Sequence, residues 1–197
     1  MPTPIGHSII GLGVALALSP GRRLSDVWRD RATLTLVIVL VNLADLDLLL
    51  GLVAFGDPHR FHGRFTHGIL FAVVVACVVA LLPGRDRTVW KRFVLGLALL
   101  LSHPLADALQ SPRGLGLGVG PGVALFAPLS HERFSWPVIL LLGVRTRTWA
   151  QVLSWHNVRV VALELLGLLP LLLLVDWLKG RWERRSAPST ITRGARS

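Results

Sequence analysis

From Phe93 to Leu109 the chain reads FVLGLALLLSHPLADAL. Almost every side chain in this stretch is hydrocarbon, yet His103 and Asp107 stand inside it. At bilayer depth an ionised carboxylate costs on the order of 2.5–3.5 kcal/mol even on a lenient insertion scale, so such residues need partners. Residues four apart on a helix share one face, one turn apart, and can reach a common ion. Pro104 between them kinks or starts a helix there. A His–Asp hydrogen bond that merely neutralises both groups is the alternative, and spacing alone leaves the two readings level.

The same texture recurs along the chain. Thr33–Phe55, Thr66–Leu82 and Val158–Leu178 are equally apolar, and a helix crossing roughly 30 Å of hydrocarbon needs about 20 such residues. Two shorter runs, Ile5–Leu18 and Trp136–Val144, are too brief to cross without thinning the bilayer or lying partly in the interface. Of the 197 residues, 52% are hydrophobic, and the mean hydropathy is +0.60. This pattern predicts an all-α, polytopic membrane helix bundle of four to six helices, with a His/Asp site near one face. Residues 1–179 read as one membrane-embedded domain, and 180–197 as a basic tail too polar to order itself. Between Gln110 and Pro128, glycine and proline predict a loop that folds back over the bundle. Ile9–Leu18 has the length of a signal-peptide core, but Met1–Ser8 carries no Lys or Arg, so the segment reads as retained.

The formal charge of +10 does not point to nucleic acid, because the basic residues lie between and after the apolar runs. Their role is to set topology and to touch anionic lipid. Arg22, Arg23, Arg29 and Arg31 precede the second run. Arg85, Arg87, Lys91 and Arg92 separate the third from the fourth. Lys179, Arg181, Arg184, Arg185, Arg193 and Arg196 make the tail basic. If these stretches are cytoplasmic, His7, Asp45, Asp47, His59, His62, His67, His103 and Asp107 all converge on the opposite, extracytoplasmic leaflet. Arg145, Arg147 and Arg159 leave 136–158 unplaced. Cys77, the single cysteine, excludes a disulfide within the chain.

Each cluster has a bland reading beside the functional one. Asp45 and Asp47, two apart, point to nearly opposite sides of a regular helix. Either one serves as ligand and the other as support, or the helix breaks here; a polar packing patch, with Asn42 nearby, is the plain alternative. His59, His62 and His67 crowd one short turn with Arg60 and Arg64. Imidazole is the commonest transition-metal ligand, and arginine suits phosphate or carboxylate oxygens. A head-group patch or a pH sensor would use the same residues. Thr66 could cap the following helix. Ser130, His131 and Glu132 offer a further ligand or base but read more simply as solvated loop. Glu164 stands in the last span without a nameable partner, and His156 sits with Trp149 and Trp155 as an interfacial residue.

The assembled order resembles a bacterial inner-membrane family of metal-dependent hydrolases by assignment, typified by the LexA-regulated YdjM protein. That pattern has an early histidine, a D-x-D, an H-x-x-x-T-H, an S-H-x-x-x-D, and a G-V with P-L-S. Here it reads as His7; Asp45-Leu46-Asp47; His62 to His67; Ser102 to Asp107; and Gly122-Val123 with Pro128-Leu129-Ser130. His62 is followed by Gly63 where the family has Arg, while His59-Arg60 offers that pair three residues earlier, so both histidines stand. Gly68 replaces the family's serine. A looser similarity is to zinc-dependent phospholipases C and P1-type nucleases, although their H-x-x-x-E is missing.

The expected activity is metal-dependent hydrolysis of a phosphoester in a lipid or lipid-linked substrate, with no nucleic-acid partner, in the bacterial inner membrane. His7, Asp45, His62, His67, His103 and Asp107 would hold one or two ions, with His59 as substitute. Zn²⁺ is favoured, with Mn²⁺ or Fe²⁺ as alternatives. Asp47 is the candidate base or supporting group, and Arg60 or Arg64 would hold the anionic substrate. The rival function is non-enzymatic transport or sensing of metal or protons through the same cluster.

Overall fold

The computed structural model describes residues 1–82, 88–111, 113–146 and 148–186. Arg85, Arg87, Arg147, Arg193 and Arg196, which entered the orientation above, lie outside the described residues. So does the expected tail beyond residue 186.

Helix α1 (Pro4–Ala17) begins where the Thr3 side chain accepts from the Gly6 amide, with proline in the first turn. Both are favourable at a helix start, where amides lack intrahelical partners. Although short, α1 is the centre of the bundle, packing on three other helices and burying His7, Ile9, Leu12, Ala15 and Leu16. After the short α2 (Leu24–Arg29), Asp30 caps α3 (Arg31–Asn42). Its carboxylate accepts from the Thr33 hydroxyl at 2.7 Å, from Arg22 at 2.7 Å and from the Thr33 amide at 3.1 Å. Those donors, led by the Thr33 hydroxyl, hold the Asp30 carboxyl well below the usual carboxylate range.

The second apolar run is not one regular helix. Between α3 and α4 (Leu46–Phe55) lies a 3₁₀ turn, Leu43–Asp45. Gly56, at φ +67°, ends α4, a left-handed cap that favours glycine. A second 3₁₀ turn, Phe65–His67, leads to α5 (Ile69–Leu81), then α6 (Val89–Ala108). The residues α5 buries are Ala72, Ala76 and Ala80, one every fourth position. They meet α6 at Gly96, where an added Cβ would sit 3.7 Å from the Ala76 Cα; small residues let the two backbones close in.

Residues beyond α6 fold over the His7 end of the bundle as a cap. Strand β1 (Gln110–Ser111) pairs parallel with β4 (Leu141–Leu142), and β2 (Gly116–Leu117) pairs antiparallel with β3 (Val138–Ile139). Backbone bonds tie the cap down: Ile69 to the Leu125 carbonyl (2.8 Å), Ala124 to that of Gly63 (3.0 Å), and Val144 to that of Met1 (2.9 Å). The expected short apolar helix over Trp136–Val144 is therefore corrected to strand. Nine residues make only about 13 Å of helix, whereas Val138 and Ile139 suit an extended backbone and Gln110–Leu117 supplies partners. Leu117, Val119 and Leu129 are exposed on this cap.

Helices α7 (Trp149–Val152) and α8 (Trp155–Ser186) are the last described elements. At the end away from the cap, Arg23 grips Asp176 through Nε (3.0 Å) and Nη2 (2.6 Å). Lys179 meanwhile donates to the carbonyls of Leu16 (2.6 Å) and Ser19. Three helical stretches among the described residues are long and apolar enough to cross a membrane: Arg31–Phe55, Val89–Ala108 and Trp149–Arg185. The expected span Thr66–Leu82 shortens to a 13-residue helix, about 20 Å, because its first residues bend into the 3₁₀ turn.

Candidate metal centre

The helix break at Leu43–Asp45 resolves the two-apart aspartates. With the backbone tightened before α4 begins, both carboxylates face the same histidines. His62 Nδ1 lies 3.1 Å from Asp47 Oδ1 and 3.8 Å from Asp45 Oδ1. His67 approaches Asp47 Oδ2 with Nδ1 (3.5 Å) and Asp45 Oδ1 with Nε2 (3.9 Å). The loop from Gly56 returns closely enough to deliver these imidazoles because Gly51 has no side chain; a Cβ there would stand 2.5 Å from the Asp57 carbonyl oxygen.

From α6, His103 and Asp107 share a face as their spacing required. His103 Nδ1 donates to the Val41 carbonyl at 2.7 Å, which directs Nε2 at Asp45 Oδ1 (3.3 Å) and Asp107 Oδ2 (3.4 Å). His67 Nε2 is 3.3 Å from the same Asp107 oxygen. His7 reaches the other Asp107 oxygen at 3.6 Å, its ring stacked on that of His103 with centroids 3.7 Å apart. His7, His67 and His103 are fully buried, and Asp47 and Asp107 are 2% exposed. At His67, burial alone would lower the imidazole. The carboxylates of Asp107 and Asp47 beside it outweigh that and raise it.

Apart from the hydrogen bond between His62 and Asp47, these imidazole–carboxylate contacts, at 3.3–3.9 Å, are too long to be hydrogen bonds of normal length. Both ring nitrogens of His7, Nε2 of His67 and His103, both oxygens of Asp45 and Oδ1 of Asp107 are buried without a hydrogen-bond partner among the described residues. Each such group costs about 1–3 kcal/mol if left so. The separations fit a shared cation instead. Four N and O ligands held tetrahedrally at 2.0–2.1 Å would be roughly 3.3–3.4 Å apart. The ligand atoms of His7, His103 and Asp107, of Asp45, His67 and His103, and of Asp47, His62 and His67 each lie within 4.8 Å of one another.

Asp47 lies between the cluster and Thr66. It accepts from the Thr66 hydroxyl at 2.7 Å, while the same hydroxyl lies 3.1 Å from His67 Nδ1. A carboxylate behind an imidazole fixes its tautomer and orientation when the other nitrogen binds metal. Thr66 is therefore not the cap of α5; Gly68 stands there. A cavity of about 290 Å³ opens beside Asp47 and Thr66, lined also by Leu50, Phe61, Arg64, Phe65, Ala127, Pro128 and His131.

Other anticipated residues fall elsewhere. His59 faces Thr146, 3.4 Å from its carbonyl, and belongs to none of the ligand groups, so the structure brings His62 to the cluster and not His59. Arg60 lies over the Phe55 ring at 4.1 Å, away from the cavity that Arg64 lines. Asn42 turns to Ser8 Oγ at 3.0 Å. His156 bonds the Gly143 carbonyl at 2.9 Å and joins α8 to the cap. Glu164 does have a partner: it accepts from the Thr3 amide at 2.7 Å, across a sequence separation that local reading cannot bridge.

The histidines and aspartates thus meet in the order the motifs run, and the sequence profile of the YdjM inner membrane protein family matches residues 1–183. The chain belongs to that family. The YdjM match takes in the cluster, the cap and all but the last turn of α8. No curated protein and no solved structure gives a significant match.

Proposed function

We propose that this chain is a multi-pass membrane hydrolase, metal-dependent and acting on a phosphoester of a lipid or lipid-linked substrate. The observation that carries the reading is the buried set of unpartnered nitrogen and oxygen atoms on His7, Asp45, His67, His103 and Asp107, spaced as ligands of a shared ion. Imidazole with carboxylate favours Zn²⁺, with Mn²⁺ or Fe²⁺ as alternatives. When bound, such an ion supplies a nucleophile at neutral pH and polarises a phosphoryl oxygen.

The chain's own residues supply the rest. Asp47, at the junction of cluster and cavity, takes a proton and keeps the His62 and His67 rings oriented. Arg64 on the cavity wall holds an anionic oxygen of the substrate, and Leu50, Phe61 and Phe65 contact its hydrocarbon. Positive charge gathers at the other end of the bundle, on Arg22, Arg23, Lys179, Arg181, Arg184 and Arg185. By the positive-inside rule that end and the tail are cytoplasmic, and the cluster lies at the extracytoplasmic end. Beneath the cluster the buried residues are Leu12, Leu16, Val37, Leu99 and Leu100. This apolar floor supports a site over a transport path.

The test is metal analysis of the detergent-purified protein beside His103→Ala and His67→Ala, with turnover of bis-p-nitrophenyl phosphate and of a phosphatidic acid. Bound metal and hydrolysis lost together in both variants support the reading. Ion flux in vesicles without hydrolysis would overturn it.

A further inference from the structure

Glu164, in the first third of α8, is 3% exposed, and nothing in the chemistry above uses it. It meets α1 at its first turn. The carboxylate accepts from the Thr3 amide at 2.7 Å through Oε1 and from the Thr3 hydroxyl through Oε2. That hydroxyl in turn accepts from the Gly6 amide at 3.2 Å. Gly6 itself lies against the carboxylate: a Cβ there would meet its three atoms at 2.7–2.9 Å. A buried carboxyl group thus sits on the positive end of a helix, where amides are free to donate. One turn on, the His7 amide donates to the Thr3 carbonyl at 3.0 Å. Whatever fixes Thr3 therefore fixes the backbone that carries His7. His7 needs such help, since among the described residues neither of its ring nitrogens has a hydrogen-bond partner, and the ring is oriented by stacking on His103 and a 3.6 Å approach to Asp107.

We infer that Glu164 is a positioning residue for His7: through Thr3 and Gly6 it docks the start of α1 on α8 and holds the imidazole against Asp107 and His103. The proposal rests on the metal reading of the cluster. It explains a buried acid in a span by a task at the site, and it requires glycine at position 6.

The test measures Zn²⁺ affinity by chelator competition, and the visible spectrum of the Co²⁺-loaded protein, for the full chain in detergent. Glu164→Leu is expected to lower affinity by about 10–100-fold, as loss of an orienting partner does, and to give the Co²⁺ spectrum of His7→Ala. The double variant should bind no more weakly than His7→Ala alone, because both changes remove the same ligand. Glu164→Gln, whose amide oxygen still accepts from Thr3, should stay within a few-fold of wild type. Should Glu164→Leu fail to fold, Gly6→Ala serves in its place, displacing the carboxylate while leaving it in the chain. Wild-type affinity in Glu164→Leu or Gly6→Ala, or losses that multiply in the double variant, would sink the clasp alone. A wild type that binds no zinc would sink the metal reading, and the clasp with it.

Discussion

Asp47 divides its two oxygens between His62 and the Thr66 hydroxyl, so neither neighbour is free to turn. Removing the hydroxyl with Thr66→Val leaves a buried carboxylate oxygen without its donor, at a cost of about 1–3 kcal/mol; thermal unfolding in detergent reads this directly. Two histidines three apart should part company in the same assay set. His62→Ala is expected to weaken Zn²⁺ binding by about 10–100-fold, and His59→Ala to leave it within a factor of two, since His59 faces Thr146. Equal effects would place His59 in the cluster. The sequence made His103 and Asp107 legible because their relation is local, four residues on one helix. It could not choose between His59 and His62, whose fate depends on how a loop closes against α4. Nor could it supply Glu164 with Thr3, a contact made only by the packing of α1 on α8.

At the scale of elements, the 3₁₀ turn Leu43–Asp45 decides the geometry, and it carries neither glycine nor proline to announce it. The D-x-D spacing posed two alternatives, a division of labour or a broken helix, and the structure contains the break. Trp136–Val144 failed in the other direction: its hydropathy suggested a short helix, while its length and β-branched residues suited pairing with distant strands. Close approach is likewise testable. In Gly51→Ala the new methyl meets backbone at 2.5 Å, so the loop carrying His62 and His67 must shift. The expected result is a loss of about 1–3 kcal/mol, read by thermal unfolding, together with reduced metal content. The α2–α3 corner has its own signature. Because the Asp30 carboxyl is held below its ordinary value, its contribution is complete above about pH 4 and is lost as the pH falls below that. Asp30→Asn should therefore flatten the acid limb of the stability profile while lowering stability at neutral pH.

For the whole molecule, an ion that binds only the folded cluster links metal to stability. At free Zn²⁺ one hundred times its dissociation constant the gain is about 2.7 kcal/mol, so chelation should lower the melting temperature of wild type but not of His103→Ala. Sidedness is open to the same directness. With Cys77 replaced by serine, a cysteine introduced at Ser130 on the cap should react with a membrane-impermeant maleimide in intact cells. One introduced at Arg184 should react only after lysis. The exposed side chains of Leu117, Val119 and Leu129 on the cap carry a kinetic corollary. On the proposed function, a lid whose outer surface is oily would rest among the head groups, and a lipid substrate would arrive by sliding within the leaflet. Turnover should then track the mole fraction of substrate in mixed micelles and stay constant when micelles of fixed composition are diluted with buffer.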